Sequence, residues 1–267
     1  MKEFSQKKIV IVGATGNLGS AYVRSLANQG SQLFLLARQE APLKKLQEQF
    51  PQVIGTAVLD DISKQISVEK AAKTVSEWSQ EIDILINATG YDVRKPLARH
   101  TETEIKRTLD INLLGAILLT QNFLPLMKQQ KGSTLVHSGG FADGRLAFPY
   151  YTVDVASRAG LFSFIEATNR ELKQEGSPIR LTYFCPNAAD TPSEKPYHRV
   201  WKEMNISIST VDEVCQALLT GLQKQKQVIL MGKGTTFFAK LNSIFPRLSD
   251  KLLLNHYSKI LQKYFGG

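Results

Sequence analysis

KKIVIVGATGNLGSAYVRSL, from Lys7 to Leu26, is the stretch that decides the fold. Ile9 to Val12 is an unbroken apolar run, the mark of a strand buried on both faces. Gly13, Gly16 and Gly19 come next, and with them apolar residues at helical spacing: Leu18, Tyr22, Val23 and Leu26. Strand, glycine turn and helix in that order form the phosphate-binding start of a dinucleotide fold. Gly13 permits the tight turn, Gly16 lets the backbone approach a pyrophosphate, and Gly19 lets the helix pack close to the strand. Unpaired N–H groups at the start of the helix face the anion, aided by the positive end of its dipole. Gly13, Thr15, Gly16, Asn17, Leu18 and Gly19 are therefore the expected cofactor-binding residues of this loop. A glycine triplet by itself also occurs in turns without a ligand. The flanking strand and helix favour the ligand.

Outward from this stretch, strands and helices alternate. Gln32–Ala37, Val53–Leu59, Asp83–Ala88, Ser133–Ser138, Ile179–Phe184 and Gln227–Met231 read as further strands. Between them lie helical segments near Pro42–Phe50 and over Val68–Trp78. Thr101 opens a long one through Met127, and another runs over Tyr151–Lys173. The alternation implies an α/β, Rossmann-type doubly wound parallel sheet of seven strands with helices on both faces. Residues 1–232 are expected to form this domain and residues 233–267 a basic helical tail. With 267 residues, 43% of them hydrophobic, the chain is long enough for one full-sized core.

The polar N-terminus MKEFSQKK leads directly into the first strand, so no signal peptide is expected, and no apolar run reads as long enough to span a bilayer. Cys185 and Cys215 show neither metal-ligand nor disulfide spacing, which fits a reducing, cytoplasmic setting. The net charge of +9 is uneven: Gly221–Gly267 holds eight basic residues and the single acid Asp250, leaving the rest of the chain close to neutral. The basic excess belongs to the tail, and it does not indicate a nucleic-acid partner for the core.

The end of the second strand carries information about the cofactor. An acid there would accept adenosine ribose hydroxyls and repel a 2′-phosphate. This strand instead ends Ala37-Arg38, with the next acid at Glu40. Arg38 suits a phosphate through charge-assisted hydrogen bonds, so NADP(H) is expected over NAD(H). An arginine simply solvated after a strand is the plainer alternative.

Several landmarks now resemble one family, the short-chain dehydrogenase/reductases, in order along the chain. VGATGNLG is similar to its glycine motif, with Asn17 where many relatives have another glycine. Asp61-Ile62 resembles the acid–aliphatic pair that contacts adenine, and Asn87-Ala88-Thr89-Gly90 its Asn-Asn-Ala-Gly motif. Asn112 stands at the position of a structural and catalytic asparagine. LPLMKQQKGSTLVHSG resembles the run into the fifth strand. Pro186-Asn187-Ala188-Ala189-Asp190-Thr191 resembles the Pro-Gly-x-Val-x-Thr segment near the nicotinamide, which assigns Pro186, Ala189 and Thr191 to the cofactor. The resemblance implies hydride transfer to or from a carbonyl or alcohol carbon of a small-molecule substrate, and subunits paired through the two long helices as a homo-oligomer.

It also implies a Tyr-x-x-x-Lys pair and a serine, and here the sequence departs. ASRAGLFSFIEATNREL places Arg158 at the lysine position and Asp154 at the tyrosine position. Ser138-Gly139 stands where a Ser-Ser pair is usual, which puts Gly139 at the serine position with Ser138 beside it. On that placement only Asn112 is kept. Arg158 retains donors for ribose hydroxyls. Asp154, paired at i,i+4 with Arg158, is expected to stay ionised, since bringing its pKa to neutrality costs about 4 kcal/mol. Tyr151 offers a substitute: spaced to share a helical face with Asp154 and Arg158, it would act as the acid. Alternatively, Tyr150 and Tyr151 only line a wall or an interface. The candidate catalytic set is thus Asn112, Ser138, Tyr151, Asp154 and Arg158. With so altered a site, a cofactor-binding protein without turnover is the alternative to an enzyme.

His137, His198 and His256 lack partners at ligand spacing, and Tyr197, His198 and Trp201 fall where the family places its substrate lid. In the tail, Pro246 should end one helix and begin another carrying Leu248, Leu252, Leu253, Tyr257, Ile260, Leu261 and Tyr264. Such a basic amphipathic helix lies either on an anionic membrane surface or against the core or a second subunit.

Overall fold

The computed structural model describes residues 3–140, 146–232 and 235–266. Six parallel strands carry the first two-thirds of the fold: β1 (Lys8–Val12), β2 (Gln32–Ala37), β3 (Val53–Val58), β4 (Ile84–Asn87), β5 (Thr134–Ser138) and β6 (Arg180–Cys185). Ala188–Ala189 (β7) and Ile208–Ser209 (β8) pair in a small separate ladder that the sequence did not suggest. Val228–Leu230 (β9) completes the main sheet, whose order is β3-β2-β1-β4-β5-β6-β9. The chain reverses its direction of winding between β1 and β4, so the crevice beyond their carboxyl ends is the place for a ligand.

Alternation along each strand divides the core. Ile9, Ile11, Leu33, Leu35, Ile84 and Ile86 face α1 (Asn17–Ala27) on one side of the sheet, against Tyr22 and Leu26. Val10, Val12, Leu36, Leu85 and Leu135 face the other way, onto α3 (Gln65–Trp78) through Val68 and Val75. The remaining helices are α2 (Glu40–Gln49), α4 (Glu102–Leu109), α5 (Gly115–Phe123), α6 (Thr152–Gln174), α7 (His198–Glu203), α8 (Val211–Gln223), α9 (Thr235–Ile244) and α10 (Pro246–Phe265).

The long helix expected over Thr101–Met127 is interrupted. Thr101 caps α4 in a reciprocal box with Glu104, but Asp110–Leu114 widens into a π turn before α5, and Leu124–Leu126 tightens into a 3-10 turn around Pro125. Glu102–Leu126 as a whole is long and apolar enough to cross a membrane, contrary to the expectation that no segment would be. It carries the core side chains Ala116, Leu119 and Phe123, which are fully buried against the sheet.

The tail packs on the core. Leu253, Leu261 and Phe265 join Phe148, Tyr151, Val200 and Trp201 in a third apolar cluster, and Lys263 and Tyr264 both bond Glu203 on α7. Pro246 stands at the first turn of α10, as its fixed φ and missing N–H favour. Lys233 and Gly234, where the tail was expected to start, lie outside the described residues, as does Gly267 at its end.

Candidate active site

The turn after β1 is shaped by what its glycines lack. Gly13 adopts φ +78° and lies against Thr89 and the Ala88 carbonyl carbon, so a Cβ there would meet both. A Cβ on Gly19 would fall 2.1 Å from the Gly13 oxygen, which holds the first turn of α1 directly on the loop. Gly16 closes the turn through its N–H to the Gly13 carbonyl, and the first N–H groups of α1 beyond it have no helical partner. A cavity of about 370 Å³ opens here. Gly16, Asn17 and Leu18 line one end, Ala88–Gly90 the floor, and Ser138, Asp154 and Arg158 the far wall, with Pro186, Ala189 and Thr191 opposite. The structure thus brings both halves of the expected site to one crevice.

Other expected residues stand behind or beside this cavity. Gly13, Thr15 and Gly19 shape the turn without lining it. Arg38 is exposed at the end of β2 and pairs with no acid among the described residues. Asp61 accepts from the Ser63 N–H at 3.0 Å and its hydroxyl at 2.7 Å, while Ile62 packs under Gly115. Asn87 is a support residue. Its Oδ1 accepts from the Thr89 N–H and hydroxyl, and its Nδ2 meets His137 Nδ1 at 3.3 Å. His137 Nε2 lies 2.9 Å from the Thr120 hydroxyl, which itself donates to the Ala116 carbonyl. One assignment satisfies this chain: neutral His137 donates from Nε2 and accepts at Nδ1. Burial agrees, holding the His137 pKa down at about 4.

At the far wall, Asp154 and Arg158 are both buried. Asp154 Oδ1 accepts from Arg158 Nε at 3.2 Å and Asn112 Nδ2 at 3.2 Å. Asn112 sits in the π turn, and its side chain also clasps the Tyr91 backbone, donating to the carbonyl at 2.7 Å and accepting from the N–H at 2.9 Å. Arg158 Nη1 donates to the Ser138 carbonyl at 2.9 Å, and Nη2 lies beside Gly90. Asp154 Oδ2 has no hydrogen-bond partner among the described residues and faces Gly140. Beside the pull of Arg158, which favours the ionised form as expected, burial acts on this carboxyl in the opposite direction and is the larger effect, pushing its pKa up.

Two expectations about hydroxyls change. Tyr151 does not share a helical face with Asp154 and Arg158, because it is the residue before α6 and has non-helical backbone angles. Tyr150, preceding it, has φ +70°. The Tyr151 hydroxyl is buried with no partner among the described residues, its ring among Phe148, Trp201 and Phe265. Burial drives its pKa up, the reverse of what an acid catalyst needs. Gly139 cannot be exchanged for a serine in this frame, since a Cβ there would enter the Tyr183 ring at 2.1 Å. Ser138, half-buried at the cavity wall, is the hydroxyl that remains.

One side-chain cluster carries no local signal in the sequence. Arg94 forms a bidentate pair with Glu194 at 2.8 and 3.0 Å, bonds Asp92 at 2.6 Å, and lies over the Tyr197 ring at 4.0 Å. Trp201 Nε1 completes the clasp on Glu194 at 2.9 Å. These residues close the substrate end of the cavity, and they come from segments a hundred positions apart with no local pattern to join them.

The family model for short chain dehydrogenases matches residues 7–202. Over 196 residues the chain is 28% identical to an uncharacterized oxidoreductase of Staphylococcus saprophyticus, spanning 72% of this chain and 82% of that protein. Its backbone superposes on a short chain dehydrogenase/reductase from Burkholderia phymatum in complex with NAD at a TM-score of 0.79 and 18% identity, covering 93% of this chain and 96% of the other. A short chain dehydrogenase from Burkholderia cenocepacia in complex with NADP gives 0.76 at 19% identity, covering 94% and 98%. At those identities the two structures speak for the fold, and the family match speaks for descent. This chain belongs to the short chain dehydrogenase family.

Proposed function

We propose that this chain is an NADP(H)-dependent oxidoreductase acting on a carbonyl or alcohol group of a small or lipophilic molecule, with Asp154 in the role of the usual tyrosine. One observation carries this reading: a single cavity joins the glycine turn to a buried carboxyl whose Oδ2 has no hydrogen-bond partner among the described residues. The cofactor end fits a dinucleotide, because the backbone at Gly16–Leu18 is open to an anion and a side chain at Gly13 or Gly19 would collide with the loop. Arg38, exposed at the end of β2 and paired with no acid among the described residues, supports the 2′-phosphate. When bound, the nicotinamide ring supplies or takes up the hydride.

The chain's own residues then handle the proton. Asn112 and Arg158 fix Oδ1, leaving Oδ2 to give a proton to a substrate oxygen or to take one back. Burial favours the protonated carboxyl that such a step requires. The Ser138 hydroxyl, from the same cavity lining, would hydrogen-bond that oxygen. Arg158 has donors left beside Gly90 for ribose hydroxyls. Ala188, Tyr151 and Trp201 give the substrate end an apolar side, which suits a lipophilic molecule.

A second reading, cofactor binding without turnover, is favoured by one observation: the hydroxyl of Tyr151, three residues before Asp154, is buried with no partner among the described residues. Titration with NADPH and NADH, followed by NADPH oxidation against a panel of ketones and aldehydes, separates the two. Tight NADPH binding with oxidation supports the enzyme, and tight binding with none across the panel supports the second reading. NADH binding as tightly as NADPH would overturn the role of Arg38.

A further inference from the structure

The C-terminal helices bury one side on the core and leave a second apolar surface bare. Ile244 is 66% exposed, Phe245 58% and Leu248 48% at the bend where α9 meets α10, and Phe237, 64% exposed, stands seven residues before Ile244 on the same face of α9. These are large side chains, three of them within two residues of Pro246, and Phe237 also meets Phe238 edge to face. Exposed clusters of this kind mark an interaction surface.

The charges around the bend identify what it meets. Lys240 stands three residues after Phe237 and four before Ile244, so helical spacing puts it among them. Lys251 stands three residues after Leu248 and Arg247 directly before it, and all three cations are exposed, against the single acid Asp250. A second copy of this chain would bring the same cations against themselves, and the whole Gly221–Gly267 segment carries eight basic residues to one acid. Like charge opposes that pairing. An anionic bilayer surface offers what both sets require: an acyl boundary for the phenylalanines and isoleucine, and phosphate headgroups for the lysines, whose stems lie along the apolar surface.

We infer that the α9–α10 bend, through Ile244, Phe245, Leu248, Arg247 and Lys251, together with Phe237 and Lys240 on the α9 face that leads into it, seats the protein on an anionic lipid surface. The opposite side of α10 packs on Tyr150, Tyr151 and Tyr197 through Phe265, so the bend and the core-facing side are separate parts of one short unit. Binding at the bend therefore leaves the core contact intact.

The test is sedimentation of the full chain with vesicles of phosphatidylcholine alone and of phosphatidylcholine mixed with phosphatidylglycerol. Binding is expected to the mixed vesicles only, falling as salt is raised. Phe237→Ser with Phe245→Ser, both exposed positions, should abolish it while the thermal unfolding midpoint stays unchanged. Lys240→Gln with Lys251→Gln should weaken it about fivefold for each lysine neutralised. Equal recovery with both vesicle types, or binding unaffected by either double variant, would overturn the proposal. So would concentration-dependent self-association that the phenylalanine variant removes, which would assign the bend to a second copy of the chain.

Discussion

The two ends of the cavity contrast. At the cofactor end the shape is made of backbone and of side chains that are missing: Gly13 at φ +78°, and Gly19 with no room for a Cβ. At the reaction end it is made of charged and aromatic side chains holding one another, Asp154 with Arg158 and Arg94 with Glu194. The first end resembles the family's usual pattern, and the second is proposed to depart from it. A backbone cradle tolerates almost no substitution, because its fit is steric. A side-chain network can be rebuilt, provided every buried charge finds a partner.

That contrast can be broken most forcefully at Gly19. Gly19→Val should cost about 3 kcal/mol of stability by overpacking against the Gly13 carbonyl, with loss of NADPH binding. Chemical denaturation and fluorescence titration would show both, and a stable, binding-competent variant would remove the steric account.

The next test lies behind the cavity, at His137 between Asn87 and Thr120. Its folded-state pKa is near 4 and that of an unfolded histidine near 6.5, so between these values the unfolded chain binds the extra proton. Stability therefore falls as the pH drops from 6.5 to 4, by about 3 kcal/mol in all. His137→Gln should flatten that part of the profile measured by urea unfolding.

How far the site was legible in the sequence follows from the same contrast. The strands, the glycine turn and the positions of Asn112, Asp154 and Arg158 could be read because local patterns specify them. The π turn that positions Asn112 could not, since it depends on a clasp with Tyr91 from another segment. Tyr151 was misplaced for a related reason. Counting along an ideal helix put it beside Asp154, whereas the chain enters α6 only after it, with the ring drawn into the cluster formed by Phe265 and Trp201. The reason for Gly139 was likewise invisible, because Tyr183 fills its space from a neighbouring strand.

Two smaller effects sharpen the comparison. Arg38→Ala should weaken NADPH binding about tenfold, the worth of a charge-assisted bond, with NADH binding unchanged. Direct titration with each cofactor measures it. Tyr151→Phe should leave turnover within about twofold and stability unchanged or slightly higher, because the hydroxyl it removes is buried without a described partner. Turnover lost with NADPH binding retained would return the acid to Tyr151.

The reaction end rests on Asp154, and Asp154→Asn addresses it most directly. Asparagine keeps the size and an acceptor for Asn112 and Arg158, but it has no proton to exchange. With a substrate found in the carbonyl panel, NADPH oxidation should fall by about a hundredfold or more while NADPH affinity is unchanged. Oxidation at the wild-type rate would contradict the assignment of the proton to Asp154.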